Sequence, residues 1–497
     1  MLQQFFLIPP LRQGILSCKL AQVEKGTALN DGKSVNSDPA NCQDLLHQLQ
    51  LLFGNLLLSE RRSYDTRDLV ASIQGYDGSS LRPGEQQDVD EFFGLFCDRL
   101  ETALKLHPQR RLLQDIFGGR ISHIITCQEC GNSSERAEDS LAISLDVNGK
   151  KNILESLNLY VQSEHIQGYR CERCHSRQDS VKRCCIKSLP NTLILHLKRF
   201  EFDLDQFRKI KLNGHCEFPT ELDLRPFTKE NIIRTTSCGK TPPDSTDNST
   251  EKPDSYYRYY LRGVLVHTGT ADSGHYYSLV KGSFDGNRKR KDKDSSRTME
   301  DLSWFCFNDS SVTPFDPTTL PEEAFGGSRS AEKFDQLPER DSYKPYSAYL
   351  LIYERKHIEF LNNGAKEDDT EPGWHAPYEN LVHAHEAVPK IMREAICLDN
   401  DRFIQDQTFF DPAYSTWLLD VAKSIKKSNP PSLALTKVVT MHLVENLLHA
   451  KDRSVQVESF ATILCSWFSQ SSDACSWLLG AMCDKFQIWT EKVRVYI

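Results

Sequence analysis

Apolar residues in the first 115 positions recur at steps of three and four, the spacing of one face of an α-helix. A helix is predicted after Asn41, whose side chain can cap the first turn. Its apolar stripe consists of Leu45, Leu46, Leu49, Leu52, Phe53 and Leu56. A second helix is predicted from the stripe formed by Val89, Phe92, Phe93, Phe96, Leu100 and Leu104. Residues 1–115 are therefore expected to be helical.

From about residue 116 the pattern changes to short runs of the β type. In the clearest run, at 192–200, Leu193, Leu195 and Leu197 occupy alternate positions, as they do in a β-strand. Further strand-like runs lie at 259–267, 275–281, 304–309 and 347–355. This half of the chain is therefore expected to build a sheet.

Three polar segments interrupt these runs, at 228–256, 285–298 and 325–345. The first is rich in Ser, Thr, Pro and Asp and is expected, with the second, to be a disordered insertion. Beyond about residue 370, amphipathic helical runs joined by short links continue to the end, which suits a solenoid-like helical extension. Together these patterns predict an α+β fold followed by an all-α region at 370–497.

Composition narrows the class of protein without identifying it. Of 497 residues, 26% are charged and 39% are hydrophobic, and the net charge of -9 gives no general attraction to nucleic acid or an anionic membrane. No apolar run reaches the length of about 18 residues that suggests a membrane span. Sixteen cysteines without a recognisable secretion signal favour a reducing compartment. We therefore expect an intracellular protein.

Two CxxC pairs, Cys127–Cys130 and Cys171–Cys174, form the strongest chemical pattern. Two thiolates spaced in this way can bind one side of a tetrahedral zinc ion, and the second pair can complete the site. The alternatives are two pairs of buried thiols or disulfides. Because four protein ligands leave no open position for water or substrate, the predicted zinc would be structural.

His275 lies in the glycine-containing segment GTADSGHYYS, where it could present its imidazole to a nucleophile. A lone histidine is more often structural, but the strand-like run at 304–309 ends in the polar pair Asn308 and Asp309. Either side chain could accept a hydrogen bond from the imidazole and fix its tautomer, as a thiol protease requires.

In combination these blocks resemble the ubiquitin-specific proteases. The resemblance rests on GEQQDVDEFF, the paired CxxC motifs, TLILHLKRF, GTADSGHYYS, FNDSSV and SAYLLIYER, which occur in the family's order. It implies a papain-like, hand-shaped α+β fold. The implied parts are a helical thumb at 1–115, zinc-binding fingers at 116–190, a palm at 191–357, and an armadillo-like helical extension at 370–497.

The same resemblance implies roles for individual residues. His275 would be the general base, Asn308 the residue that orients it, and Asp309 an assisting group. The metal ligands would be the four cysteines already named, and the partners would be ubiquitin and ubiquitinated proteins. Neither nucleic acid nor a membrane is an expected partner.

A substrate-binding set is also implied, consisting of Gln87, Asp88, Gly274 and Tyr276. Asp88 would bind the backbone of the ubiquitin tail. The alternative for Asp88 is purely structural, since an aspartate at a helix start also interacts favourably with the helix dipole.

The nucleophile is the part of the family pattern that no residue matches. The family's cysteine box leads into the helix that here starts at Met1, so its cysteine is expected just upstream. Cys18 lies beyond Gly14 at the far end of this helical region, and Cys42 starts another helix. Either the sequence is truncated, or it is a short form that keeps the ubiquitin-binding surface without the chemistry.

Three functions follow from these observations. The first is a deubiquitinating thiol hydrolase that cleaves after the C-terminal Gly-Gly of ubiquitin, and the second is a catalytically inactive ubiquitin-binding protein. The third, a zinc-ribbon protein that binds nucleic acid, is disfavoured because 287–293 is its only basic run. A cytoplasmic location is expected, with the nucleus as a second possibility.

Overall fold

The computed structural model describes residues 1–19, 39–82, 87–205, 207–236, 252–282, 303–328, 343–355, 387–409, 411–425, 431–449 and 456–494. The chain forms two units. The first comprises Met1–Gly54 and Asp65–Pro389, and the second comprises Asn55–Tyr64 and Lys390–Ile497. The predicted α+β fold with a helical C-terminal part is confirmed.

The described part of residues 1–117 contains six helices. They are α1 (Leu2–Phe6), α2 (Pro9–Ser17), α3 (Pro39–Leu58), α4 (Arg67–Ser72), α5 (Val89–Leu104) and α6 (Leu112–Phe117). The two that the sequence predicts correspond to α3 and α5. Phe5 of α1 lies at the centre of an aromatic cluster, 5.4 Å from the ring of Phe96 and 6.0 Å from those of Phe93 and Phe117. These contacts tie α1, α5 and α6 together through buried apolar surface.

The finger sheet has four antiparallel strands in the order β2-β1-β5-β4. Its strands are β1 (Gly119–Cys127), β2 (Ser133–Ser140), β4 (Glu164–Arg170) and β5 (Arg177–Ser188). Every residue of β2 and β4 is at least partly exposed. The finger sheet therefore has little hydrophobic core of its own at these two edges.

The palm sheet contains eight strands, seven of them in the order β13-β12-β11-β10-β14-β6-β3, while β9 pairs with β10. Its strands are β3 (Ile143–Asp146), β6 (Thr192–Lys198), β9 (Glu221–Asp223), β10 (Arg258–Gly269), β11 (Gly274–Gly282), β12 (Ser303–Asn308), β13 (Ser311–Phe315) and β14 (Tyr346–Arg355). A separate hairpin consists of β7 (Phe200–Asp203) and β8 (Arg208–Lys211). The smaller helices around the palm are α7 (Ile153–Tyr160), α8 (Lys229–Thr236), α9 (Asp254–Tyr257) and α10 (Leu320–Ala324).

The central palm strands are buried on both faces. Six of the seven residues of β6 and nine of the ten residues of β14 are buried. Leu195, Val264 and Leu351, from three neighbouring strands, belong to one hydrophobic cluster. A sheet that is covered on both faces selects continuous apolar runs, which explains the composition of these strands.

The predicted boundary between fingers and palm needs one correction. Strand β3 and helix α7 lie within residues 116–190, yet β3 pairs in parallel with β6 of the palm sheet. Ile143 and Leu145 of β3 belong to the palm's hydrophobic cluster, and so do Ile153 and Leu157 of α7. The local pattern predicts a strand here but not its partner, which lies about 50 residues further along the chain.

The expectation of disorder over 228–256 is wrong at both ends of that segment, where the structure has α8 and α9. Lys229, at the start of α8, donates a hydrogen bond to Glu135 of β2, and Tyr257 of α9 donates one to Glu230. These tertiary contacts stabilise helices that composition alone disfavours. The segments 237–251, 285–298 and 329–342 lie outside the described residues.

The second unit consists mainly of helices, as predicted for the C-terminal region. They are α11 (Lys390–Phe409), α12 (Pro412–Ser424), α13 (Leu433–Met441), α14 (Gln456–Phe468) and α15 (Ser472–Arg494). Leu418, Val439 and Phe460 form the centre of its hydrophobic cluster. The armadillo-like character of this region stays a prediction. Across the described residues, no helix combines the length and the apolar character needed to cross a membrane.

Candidate active site and metal centre

The pairing of β11 with β12 brings His275 and Asn308 together. His275 is near the start of β11 and Asn308 ends β12, and the register of these strands pairs Ser278 with Phe307. Nε2 of His275 lies 2.6 Å from Oδ1 of Asn308. Because an amide oxygen only accepts, Nε2 carries the proton and donates it, which leaves Nδ1 as the basic nitrogen.

Asp309 is placed differently from its neighbour. Its carboxylate lies 3.9 Å from Nε2 of His275, and its side chain is 80% exposed. Its backbone has a φ of 48°, in the left-handed region, at the turn between β12 and β13. Of the two acceptors that the sequence leaves open, Asn308 is therefore the direct partner of the imidazole.

A cavity of about 270 Å³ opens beside this pair, and the start of α1 forms part of its wall. Met1 and Gln3 line it from the helix, while Tyr276 and Asp309 line it from the palm. The side chain of Gln4 fixes α1 against the sheet by donating a hydrogen bond to Oγ of Ser278 at 2.5 Å. The helix therefore begins next to the strands that carry the histidine and the asparagine.

Asp88 has two structural partners of its own. It is the N-cap of α5, where it accepts hydrogen bonds from the backbone N–H groups of Asp90 and Glu91. The hydroxyl of Tyr349 lies 2.8 and 2.7 Å from its two carboxylate oxygens. These contacts agree with the structural role that the sequence analysis gave as the alternative for Asp88. Gln87, just before the cap, is exposed.

Gly274 and Tyr276 both pack against His267, a residue that the sequence patterns did not single out. A Cβ atom on Gly274 would lie 2.1 Å from Nε2 of His267, so no larger residue fits without displacement of that ring. The ring of Tyr276 lies 4.7 Å from that of His267. Burial, followed by the charge of Lys211, lowers the pKa of His267 to about 4, so this imidazole is neutral.

Three further residues near the site were not singled out by the sequence patterns. His267 and Tyr349 lie within runs that predict strands, and Lys211 ends a short polar hairpin. Nothing in the local pattern separates them from ordinary strand residues. The pairing of β10 with β11 and β14 brings His267 and Tyr349 near His275. Lys211 reaches the same region through hydrogen bonds to the carbonyls of His267 and Gly269.

Cys18 is unsuited to be a nucleophile. It is 2% exposed, and its thiol donates a hydrogen bond to the carbonyl of Gly14. Burial raises its pKa to about 11, which disfavours the thiolate. The side chain of Cys42, the other alternative, lies outside the described residues.

The four cysteines of the CxxC pairs converge at the tip of the finger sheet. Their sulfur atoms all lie within 4.8 Å of one another. Cys127 and Cys174 are separated by 3.9 Å, and Cys130 and Cys171 by 3.6 Å. Tetrahedral zinc with bonds of about 2.3 Å to sulfur places its ligands about 3.8 Å apart. The cluster could therefore hold one metal ion.

The two CxxC turns have the same backbone hydrogen bonds. Gly131 N donates to the carbonyl of Cys127, and His175 N donates to that of Cys171, both at 3.0 Å. The residue after each second cysteine also has a positive φ, 67° at Gly131 and 53° at His175. Glycine adopts this conformation without strain, whereas a histidine in the same conformation is strained.

Comparison with known proteins finds one family that matches most of the chain. The profile of the family "Ubiquitin carboxyl-terminal hydrolase" matches residues 1–353. Ubiquitin carboxyl-terminal hydrolase 34 of Homo sapiens is 28% identical over 495 residues, which cover 97% of this chain and 12% of the relative. Ubiquitin carboxyl-terminal hydrolase 9X of Mus musculus is 31% identical over 399 residues, or 71% of this chain and 15% of the relative. The chain thus spans a small part of the length of these relatives.

The difference between the two CxxC turns gives a test of this part of the fold. We expect His175→Gly to stabilise the finger sheet by about 1 kcal/mol, because it removes the strain of a left-handed histidine. The matched change Gly131→Ala should cost about 1 kcal/mol at the equivalent position. Urea unfolding at equal metal content measures both changes. If both substitutions changed the free energy of unfolding in the same direction, the two turns would not share the backbone conformation described above.

Proposed function

The chain belongs to the ubiquitin carboxyl-terminal hydrolase family, and from this premise we propose that its first unit acts on ubiquitin. The proposed reaction is hydrolysis of the peptide or isopeptide bond after the C-terminal Gly-Gly of ubiquitin. The observation that carries the proposal is the hydrogen bond of 2.6 Å between His275 and Asn308. It leaves the basic Nδ1 of the imidazole available for a thiol.

In the proposed mechanism, Nδ1 of His275 accepts the proton of a cysteine thiol, and the thiolate attacks the carbonyl carbon of the terminal glycine. The imidazolium then gives this proton to the departing amine as the C–N bond breaks. Water hydrolyses the resulting thioester and regenerates the thiol. Asn308 keeps the ring in one tautomer and orientation throughout, which is the role of the third group in such a site.

The thiol in this proposal comes from a segment that would precede Met1, as the family resemblance implies. The cavity beside Met1, Tyr276 and Asp309 supports this location, because a residue before α1 would approach His275 there. A cysteine at the start of a helix would also be favoured as a thiolate by the helix dipole.

The second candidate function is ubiquitin binding without hydrolysis. It is supported by the state of Cys18, whose buried thiol is hydrogen-bonded to Gly14 rather than directed at an imidazole. In both functions the partners are ubiquitin and ubiquitinated proteins, and the ubiquitin-binding surface is the same. A cytoplasmic location, with the nucleus as the alternative, remains part of the proposal.

We also propose that the metal held by Cys127, Cys130, Cys171 and Cys174 is zinc and that its role is structural. A ligand set of four thiolates favours zinc over magnesium or calcium, because the latter two ions prefer oxygen ligands. Strands β2 and β4 are largely exposed. A metal that crosslinks the two turns would therefore supply stability that a hydrophobic core does not supply at these edges.

The zinc proposal predicts about one zinc ion per purified chain, measured by elemental analysis. Cys127→Ser should lose the metal on dialysis and accelerate hydrogen exchange in β1 and β5, because three ligands hold zinc less tightly than four. Cys397→Ser, a change at an exposed cysteine of the second unit, should retain the metal. A metal-free chain with an unchanged finger sheet would refute the proposal.

The ubiquitin proposal predicts binding in the micromolar range, about −8 kcal/mol, in a titration with labelled ubiquitin. Asp88→Asn should weaken binding by about 1 kcal/mol while leaving stability nearly unchanged, because asparagine is also a good N-cap. Asp88→Ala should weaken binding and also lower the free energy of unfolding by about 1 kcal/mol, because the cap is lost. Equal binding by all three proteins would remove Asp88 from the ubiquitin site.

Reaction with a ubiquitin probe that carries a C-terminal electrophile separates the two candidate functions. We expect no adduct with the 497 residues alone and an adduct after the family's cysteine box is added before Met1. In the extended chain, His275→Ala should then lower kcat/KM by a factor of about 100 or more, since general base catalysis is lost. An extended chain that binds ubiquitin but neither labels nor hydrolyses would favour the binding function. Efficient labelling of Cys18 would instead show that the nucleophile has been assigned wrongly.

A further inference from the structure

Lys211, the last residue of β8, is held by backbone carbonyl groups of three different residues. Its Nζ lies 2.6 Å from the oxygen of Pro345, 2.9 Å from that of His267 and 3.5 Å from that of Gly269. An ammonium group has three N–H donors, so these acceptors match its full capacity. Within the described part of the chain, no carboxylate forms an ion pair with it.

These carbonyls border the turn that carries the catalytic histidine. The register of β10 and β11 pairs Thr268, which lies between two of the carbonyls, directly with His275. Gly269 N also donates to the oxygen of Pro345 at 3.0 Å, so this oxygen joins β10 to the segment before β14. Lys211 therefore contacts both β10, whose Thr268 is opposite His275, and the segment before β14 that is bonded to it.

The turn itself leaves little space for movement. Gly269 has a φ of 116°, and a Cβ atom there would lie 2.6 Å from the oxygen of Ser273. Thr270 N closes the turn by donating to that same oxygen at 2.8 Å. On the other strand, Gly274 packs directly on the ring of His267. A change in the position of the β10 carbonyls would thus be transmitted to His275.

Placing a lysine side chain here costs free energy, because its ammonium group loses contact with water. Burial, followed by the charge of Arg199, lowers the pKa of Lys211 to about 7, so its environment disfavours the ammonium. Arg199 is itself 1% exposed, and the acceptors it has among the described residues are all backbone carbonyls, including those of Ala348 and Leu212. Replacing buried charged groups by apolar residues often costs no stability. Stability alone therefore does not account for this arrangement.

We propose that Lys211 is a positioning residue that holds the turn at 269–274 and thereby keeps His275 in place against Asn308. This role rests on the proposed function, in which His275 is the general base. Lys211 does not contact the reacting atoms in this account. It acts through the backbone of β10 and the segment before β14, and it also connects the hairpin β7–β8 to the active site.

The first test is hydrogen exchange in the full chain, which requires no activity. In Lys211→Met, amides of the 268–274 segment should exchange about tenfold faster than in the original protein, because their local opening becomes easier. Lys209→Met is the matched control, since Lys209 lies in the same strand with an exposed side chain. Lys211→Arg, which keeps the charge and donors, should show a smaller effect.

The second test is kinetic and uses the extended chain that contains the cysteine segment. Lys211→Met should lower kcat about tenfold, with KM for a ubiquitin substrate changed by less than about twofold. Lys209→Met should leave both unchanged. If the unsubstituted extended chain does not hydrolyse ubiquitin, the proposed function fails, while the exchange test still decides whether Lys211 holds the turn.

Two results would overturn the positioning role. One is unchanged exchange at 268–274 in both Lys211 variants. The other is faster exchange throughout the palm sheet in both, which would indicate a general structural role. If Lys211→Met does not fold, Lys211→Arg provides the same comparison, and exchange confined to 268–274 would support the proposal.

Discussion

The antiparallel register of β10, β11 and β12 is the constraint on which the candidate active site depends. It pairs Thr268 with His275 and Ser278 with Phe307, and so brings His275 within hydrogen-bonding distance of Asn308. A slip of one residue would turn every side chain to the opposite face. Such a slip would take Asn308 to the face of β12 opposite His275, so the hydrogen bond of 2.6 Å between them requires this register.

The helical region is attached to this sheet by polar contacts at the start of α5. Asp88 accepts from the hydroxyl of Tyr349, and Asp90 lies 3.2 Å from Nδ1 of His196 on β6. Burial lowers the pKa of His196 and raises that of Asp90, so the surroundings of this pair disfavour its ionised form. The first turn of α5 is therefore fixed by hydrogen bonds in a partly desolvated setting, where such bonds are strong and their loss is costly.

Local sequence predicted those features whose partners lie close along the chain. The CxxC pairs predicted the four-cysteine cluster because each pair forms one turn, although the 40 residues between the pairs had to fold back. The choice between Asn308 and Asp309 could not be made in this way, since it depends on a strand register and on a positive φ at Asp309. Helix α8 was missed for a related reason, because its contact with Glu135 is distant in sequence.

The two carboxylate oxygens of Asp88 have different hydrogen-bond partners. Its Oδ1 atom accepts from the N–H groups of Asp90 and Glu91 and therefore performs the capping. Its Oδ2 atom lies 2.7 Å from the hydroxyl of Tyr349 and accepts no other hydrogen bond from the residues that the structure describes. A carboxylate has about four acceptor positions, so Oδ2 retains capacity for a backbone N–H from an extended peptide. Under the proposed function, capping and ubiquitin binding would therefore use different oxygens of Asp88, and the cap would hold the second oxygen in a fixed orientation.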